Sequence, residues 1–274
     1  NKINFFIKKK IKKFYFKFAN NMTTEKIISY ITNWILEYSE KNNIKGFIIG
    51  ISGGIDSAVT SILTAKTKKP LLCLNMPIHQ EKKQFERAKK HIEFLQKNYK
   101  NVNYKEVNLS KLFDQFNETI SKEKKCDLSL ANTRARLRMT TLYYYAQLNN
   151  YIVVGTGNKV EDFGIGFYTK YGDGGVDISP IADLLKSEVY LLGRKLNVIN
   201  DILEASPTDG LWDNNLTDED QIGATYDELE WAMKNNSKDN LSKRQKEVQS
   251  IYYRLNKMNK HKMAPIPVCI IPKK

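Results

Sequence analysis

Residues 46–57 read Gly-Phe-Ile-Ile-Gly-Ile-Ser-Gly-Gly-Ile-Asp-Ser, and this stretch decides the fold. Gly46–Ile51 is a short apolar run of the kind found in strands buried on both faces. The paired glycines that follow let the backbone turn with positive φ and approach a ligand closely. From Ala58 to Lys68 the pattern is helical. A strand, a tight turn and a helix aim the first backbone N–H groups of the helix at an anion. Ser52 and Ser57 add hydroxyl donors. Asp56 would repel bare phosphate, so its place in the loop points to an intervening Mg²⁺. No Lys follows the glycines, which excludes a Walker A loop, and G-x-G-x-x-G is absent, which excludes a dinucleotide fingerprint. A plain turn capped by Ser and Asp is the bland alternative.

Outward from this stretch, strands alternate with helices. Residues 24–41 place Ile27, Ile28, Ile31, Trp34, Ile35 and Tyr38 at helical spacing. Pro70–Asn75 is a second buried strand, 81–98 a charged helix, Val102–Val107 a third strand and 109–121 a helix. A long helix is expected over 128–148 and a fourth strand at Tyr151–Val154. This order implies parallel βαβ units and an α/β, doubly wound, mainly parallel sheet. Residues 155–180 hold seven of the fourteen glycines and little periodicity; so long an irregular stretch within a compact domain is usually functional. Helices return at 183–196, 218–234 and 242–259, and a tail with three prolines follows at 264–272.

The SGGIDS pattern resembles the PP-loop of the ATP pyrophosphatase family. Three later blocks choose within it: Asn132-Thr-Arg-Ala-Arg-Leu-Arg-Met139, Gly155-Thr-Gly-Asn-Lys-Val-Glu161 and Lys170-Tyr-Gly-Asp-Gly-Gly-Val-Asp177. In this order they look like NAD synthetase. Ser206–Trp212 and Asn259–Lys262 extend the resemblance over about 24–264. It implies an ammonia-dependent, ATP-consuming amidation of deamido-NAD (nicotinic acid adenine dinucleotide) with an adenine nucleotide alpha hydrolase-like fold. It implies ATP contacts at Gly50, Ser52, Gly53, Gly54, Asp56, Ser57, Thr156, Lys186 and Thr208, and Mg²⁺ on Asp56 and Glu161. Deamido-NAD contacts are implied at Arg136, Lys170, Asp177, His261 and Lys262, and Asp173 lies near the ammonia site. The resemblance implies Asp56, Lys186 and Asp173 as the catalytic set. Homodimers with substrate sites at the interface are implied as well. The family often has an acid before the His and an Arg after the Lys; here Lys260 and Met263 stand there.

Each role has a plain counterpart. Glu161 could be a first-turn helix acid, Lys186 a surface lysine and Thr208 a turn residue after Pro207. Arg134 and Arg138 could form a solvated basic face, and His79 and His91 read as solvated or capping. Asp162-Phe-Gly164 mimics a kinase triplet but lacks every other kinase signature.

The 274 residues carry a net charge of +14, which invites a nucleic-acid reading. Residues 1–21 supply half of it through seven Lys and no acid. That segment is expected to be a basic leader outside the fold, with 22–274 forming one domain. It has no 18-residue apolar run for a membrane span and no signal-peptide pattern. Cys73, Cys126 and Cys269 are odd in number without metal spacing, so a reducing cytoplasm is expected. Some 25 residues before the first helix cannot hold an amidohydrolase domain. Free ammonia, or ammonia from a separate glutaminase, is therefore the expected nitrogen source. The expected partners are small anions, ATP and deamido-NAD, with no nucleic acid and no membrane. A tRNA-modifying PP-loop ligase is the alternative, but such enzymes lack KYGDGG.

Overall fold

A computed structural model describes residues 22–120, 126–208, 210–211, 217–237 and 239–272. The basic leader, and Asp209 and Trp212 of the 206–212 block, lie outside the described residues. Helix α1 (Thr24–Lys41) leads into β1 (Gly46–Gly50), α2 (Ile55–Ala65), β2 (Leu71–Asn75), α3 (Lys82–Asn98) and β3 (Val102–Glu106). Then come α4 (Ser110–Thr119), α5 (Asp127–Asn149) and β4 (Tyr151–Val153). The four strands are parallel in the order β3-β2-β1-β4.

The alternation along β1 shows why the sheet is covered on both faces. Phe47 and Ile49 pack with α1, α2 and α3 residues such as Ile35, Ile62 and Ile92. Ile48, between them, points to the other side with Leu74, Phe113, Ala146 and Val153. All three β1 side chains are fully buried, and each contributes about 1.5–3 kcal/mol by leaving water. The chain runs β1 to β2 to β3 in one direction and then crosses to β4 on the other side of β1. The order reverses between β1 and β4, and ligands of open α/β sheets bind at the carboxyl edge of such a switch point.

Beyond β4 two departures from the sequence reading shape the site. The glycine-rich stretch contains a π-helical turn, Val160–Ile165, a feature frequent at functional sites. The single helix expected over 218–234 is two, α8 (Asp218–Ile222) and α9 (Tyr226–Lys234). Gly223, at φ 84°, ends the first, and Thr225 caps the second by accepting from the Glu228 N–H. α6 (Lys186–Lys195) and the short α7 (Asn200–Leu203) precede them, and α10 (Lys243–Met263) follows. The π turn, α9 and α10 build a second small core around Val160, Ile165, Leu229 and Val248. This core holds the π turn's acids against the sheet edge.

His91 corrects another expectation. It is fully buried, and its Nε2 lies 2.9 Å from Ser61 Oγ, joining α3 to α2. Burial lowers its pKa to about 4, so the folded protein keeps it neutral while the unfolded chain protonates near 6.5. The depressed value means that this contribution is complete above pH 6.5 and lost as pH falls toward 4. We predict a slope of about 1.4 kcal/mol per pH unit from this group in that window. In His91→Gln, urea titrations between pH 4 and 6.5 should show that slope flattened; an unchanged acid limb would refute it. His79, in contrast, is exposed and pairs with Asp114 at 2.6 Å.

Candidate active site

Residues 51–54 carry the chain from β1 to α2 at the switch point. Gly53 adopts φ 81°, and a Cβ there would lie 2.7 Å from the Gln84 carbonyl oxygen and 3.1 Å from the Ala88 nitrogen of α3. A side chain at Gly54 would meet only ordinary contacts. Gly53 is thus the glycine the loop requires. Gly53→Ala should cost about 1–2 kcal/mol from the backbone conformation, plus the displacement of α3, and should raise the KM for ATP. Wild-type stability and KM in that variant would refute the assignment.

The two serines differ in what they do. Ser57 is buried; its Oγ donates to the Gly54 carbonyl (3.0 Å) and accepts from the Ser52 N–H (3.3 Å). It braces the loop from below. Ser52 is exposed and takes the Gly54 N–H on its Oγ at 3.2 Å.

Three charged groups from distant elements meet beside the loop. Lys186, the first residue of α6, is 4% exposed, an unfavourable place for a cation at a helix N-terminus unless carboxylates surround it. Its Nζ donates to Asp56 Oδ2 at 2.6 Å and to Glu161 Oε1 at 3.0 Å. Each acid also has a neutral donor. Asn158 Nδ2 reaches Asp56 Oδ1 at 3.2 Å, and the Tyr226 hydroxyl reaches Glu161 Oε1 at 2.6 Å.

Two acids share one cation, so the cluster carries an excess negative charge. Burial raises the Asp56 pKa despite Lys186, with Glu161 adding repulsion. Burial also opposes ionisation of Glu161, but Lys186 and the Tyr226 hydroxyl pull its pKa below the ordinary value. Lys186 sits well above its usual range because Asp56 and Glu161 outweigh its own desolvation. Asp162 is pushed up to about 8, first by burial and then by Glu161, Asp173 and Asp56.

The phosphate loop, Thr156, Glu161, Asp173, Lys186 and Thr208 line one cavity together. The ATP and metal residues expected from sequence therefore converge, although they span over 150 positions. The NAD synthase family model matches residues 27–265. The chain belongs to the NAD synthase family. The NH(3)-dependent NAD(+) synthetase of Mycoplasma genitalium is 39% identical over 212 residues, covering 76% of this chain and 83% of the relative. That of Mesoplasma florum is 37% identical over 244 residues, covering 88% and 95%. Among solved structures, the NMN synthetase of Francisella tularensis superposes with a TM-score of 0.81 at 31% identity, covering 93% of this chain and all of that one. The NH3-dependent NAD synthetase of Campylobacter jejuni gives 0.74 at 26% identity, covering 91% and all of that chain.

The residues expected to hold the dinucleotide do not line the cavity. Four of them gather on a separate rim. The Arg136 guanidinium donates to the Lys170 carbonyl at 3.3 and 3.4 Å, and Lys170 Nζ to the His261 carbonyl at 3.3 Å. Lys262 Nζ donates to the carbonyls of Gly166 (2.6 Å) and Tyr168 (2.8 Å). Asp177 stands apart: its carboxylate accepts from the Val153 N–H (2.7 Å) and the Tyr143 hydroxyl (3.1 Å), at the end of β4. Asp173 also has a scaffold contact, accepting from the Thr169 N–H at 2.9 Å.

The solvated reading of Arg134 and Arg138 is overturned. Arg134 is buried against the Phe113 ring and donates to the Leu211 carbonyl. Arg138 lines the cavity and donates to Met76 O (3.0 Å) and Gln80 Oε1 (2.8 Å). Sequence reasoning also passed over Asn158 and Tyr226. Asn158 had a signal, a short polar residue just before a helical start; its side chain accepts from the Val160 and Glu161 N–H groups. Tyr226 had none, because it reaches the site only through the second core.

Proposed function

We propose that the protein amidates deamido-NAD to NAD with ammonia, at the expense of ATP. The convergence of Asp56, Glu161 and Lys186 beside an anion-binding loop at the switch point carries this reading, together with relatives named as NH(3)-dependent synthetases. The nicotinate carboxylate oxygen attacks the α-phosphorus of ATP, the bond to the bridging oxygen breaks, and pyrophosphate leaves. Ammonia adds to the carbonyl carbon of the acyl-adenylate, sheds a proton, and AMP departs.

No side chain need form a covalent bond. The loop's N–H groups and Lys186 stabilise charge on the phosphates, and the rest of the gain is positioning of two bound nucleotides. Lys186 must leave the two carboxylates to serve the phosphates. Asp56 and Glu161 would then hold Mg²⁺, which would screen the triphosphate. The donor set fits. Among the described residues no group of three His, Cys, Asp or Glu forms a cage, and Mg²⁺ is bound through one or two carboxylates with phosphates and waters. The Arg136, Lys170, His261 and Lys262 rim would take the dinucleotide.

The Francisella tularensis structure supports a second reading, with nicotinic acid mononucleotide as the acceptor. Its reacting carboxylate is the same, so the chemistry of the cavity does not distinguish the two. The assay supplies ATP, Mg²⁺ and ammonia with either acid substrate and follows amide and pyrophosphate. A higher kcat/KM for deamido-NAD supports the first reading, and one for the mononucleotide the second. No amide from either would refute both.

We further read residues 22–274 as one domain and the assembly as a homodimer. Tyr144 and Leu148, one turn apart on α5, expose apolar surface that suits a partner. Sedimentation at micromolar concentration tests this.

A further inference from the structure

Glu161 sits on a π turn and shares its cation with Asp56, so its own placement depends on what else grips it. Tyr226 supplies that grip from the second core. It opens α9 and is 5% exposed, and its backbone N–H donates to Glu219 Oε1 at 2.9 Å. The cap one residue before it is locked in turn: Thr225 and Glu228 form a capping box, and Arg244 donates to both Glu228 oxygens at 2.8 and 2.7 Å. The ring therefore has a fixed seat. Its hydroxyl lies 2.6 Å from Glu161 Oε1 and 3.3 Å from Asp218 Oδ2, and its single proton goes to the closer acceptor. The ring face lies 4.6 Å from Lys186 Nζ. Tyr226 thus touches both charged groups that must exchange partners when nucleotide arrives.

We propose that Tyr226 is a positioning residue that holds the Glu161 carboxylate in place for the divalent cation once Lys186 turns to the phosphates. This rests on the metal reading of Asp56 and Glu161 above. When Lys186 departs, Glu161 loses a charged partner but keeps the phenol. A neutral donor orients a carboxylate without neutralising it, so the acid stays available to a cation. Asn158 does the same for Asp56 from the other side. Removing such an outer partner usually lowers metal affinity by about 10–100-fold.

The test uses Mn²⁺ as the probe, with α,β-methylene-ATP as a nucleotide that cannot release pyrophosphate. Binding is read from the loss of the free Mn²⁺ electron paramagnetic resonance signal, so no turnover is involved. Tyr226→Phe should weaken Mn²⁺ about tenfold while ligand-free unfolding moves little. In a Glu161→Ala background the same substitution should leave Mn²⁺ affinity unchanged, because its route is gone. Wild-type Mn²⁺ affinity in Tyr226→Phe, or an equal loss with and without Glu161, would overturn the proposal. Failure of the wild-type protein to bind Mn²⁺ with the analogue would instead remove the metal reading, and this role with it.

Discussion

Lys186→Met is expected to lower both activity and ligand-free stability, and Mg²⁺ should restore only the second. Without the ammonium, Asp56 and Glu161 face each other largely out of water, each 17% exposed. Breaking a buried pair by removing one partner costs about 3–5 kcal/mol, chiefly because an uncompensated charge remains. A divalent cation can take the vacated place, so urea unfolding in millimolar Mg²⁺ should recover part of the loss. No cation at that point can follow the phosphates as the lysine would. Losing a preorganised charge that stabilises the transition state costs about 10²–10³-fold in kcat. The pyrophosphate release rate and urea midpoints with and without Mg²⁺ check both halves. Wild-type turnover would remove Lys186 from the chemistry. An unchanged midpoint would mean that the carboxylates find other partners.

What could be read from the sequence follows the range of the interactions. Helix periods and strand runs are local, and α1, β1, β2 and α3 fall within a few residues of their expected bounds. The phosphate loop is local too, since strand, turn and helix start are contiguous. The two departures have short-range causes that a hydrophobic pattern does not weigh. Gly223 splits a helix whose apolar spacing runs on past it, and the π turn has no period of its own to detect. The site's charges were named individually through family motifs, but their mutual arrangement was hidden. Nothing in the chain at 186 says that a lysine will be 4% exposed between acids from 56 and 161. Arg134 and Arg138 show the same limit: four residues apart on a helix, they look like one basic face, yet each is drawn inward by a different neighbour.

Asp56→Asn should abolish activity without loss of stability, the opposite of what removing a buried ion-pair partner normally does. The reason is the stoichiometry of the cluster. Asp56 and Glu161 oppose a single Lys186, so converting one acid to an amide leaves a balanced Lys186–Glu161 pair. Asn at this position can still accept from Asn158 Nδ2 through its carbonyl oxygen. The raised pKa of Asp56 gives the sign. Its native form holds the proton more tightly than the unfolded chain does, so ionisation opposes folding as pH rises through the native value. At neutral pH the charge is therefore a cost, and the amide removes it. Unfolding free energy should stay level or rise by about 1 kcal/mol, as is common where function maintains local strain. Activity should fall about 10³-fold, because the loop loses the carboxylate that lets a cation sit between it and the triphosphate. Equilibrium urea unfolding and pyrophosphate release, measured on the same preparation, decide it. An active variant would take Asp56 out of the metal site. An inactive but strongly destabilised one would show that Asp56 serves mainly to hold Lys186, so that the acid is architecture and Glu161 alone carries the cation.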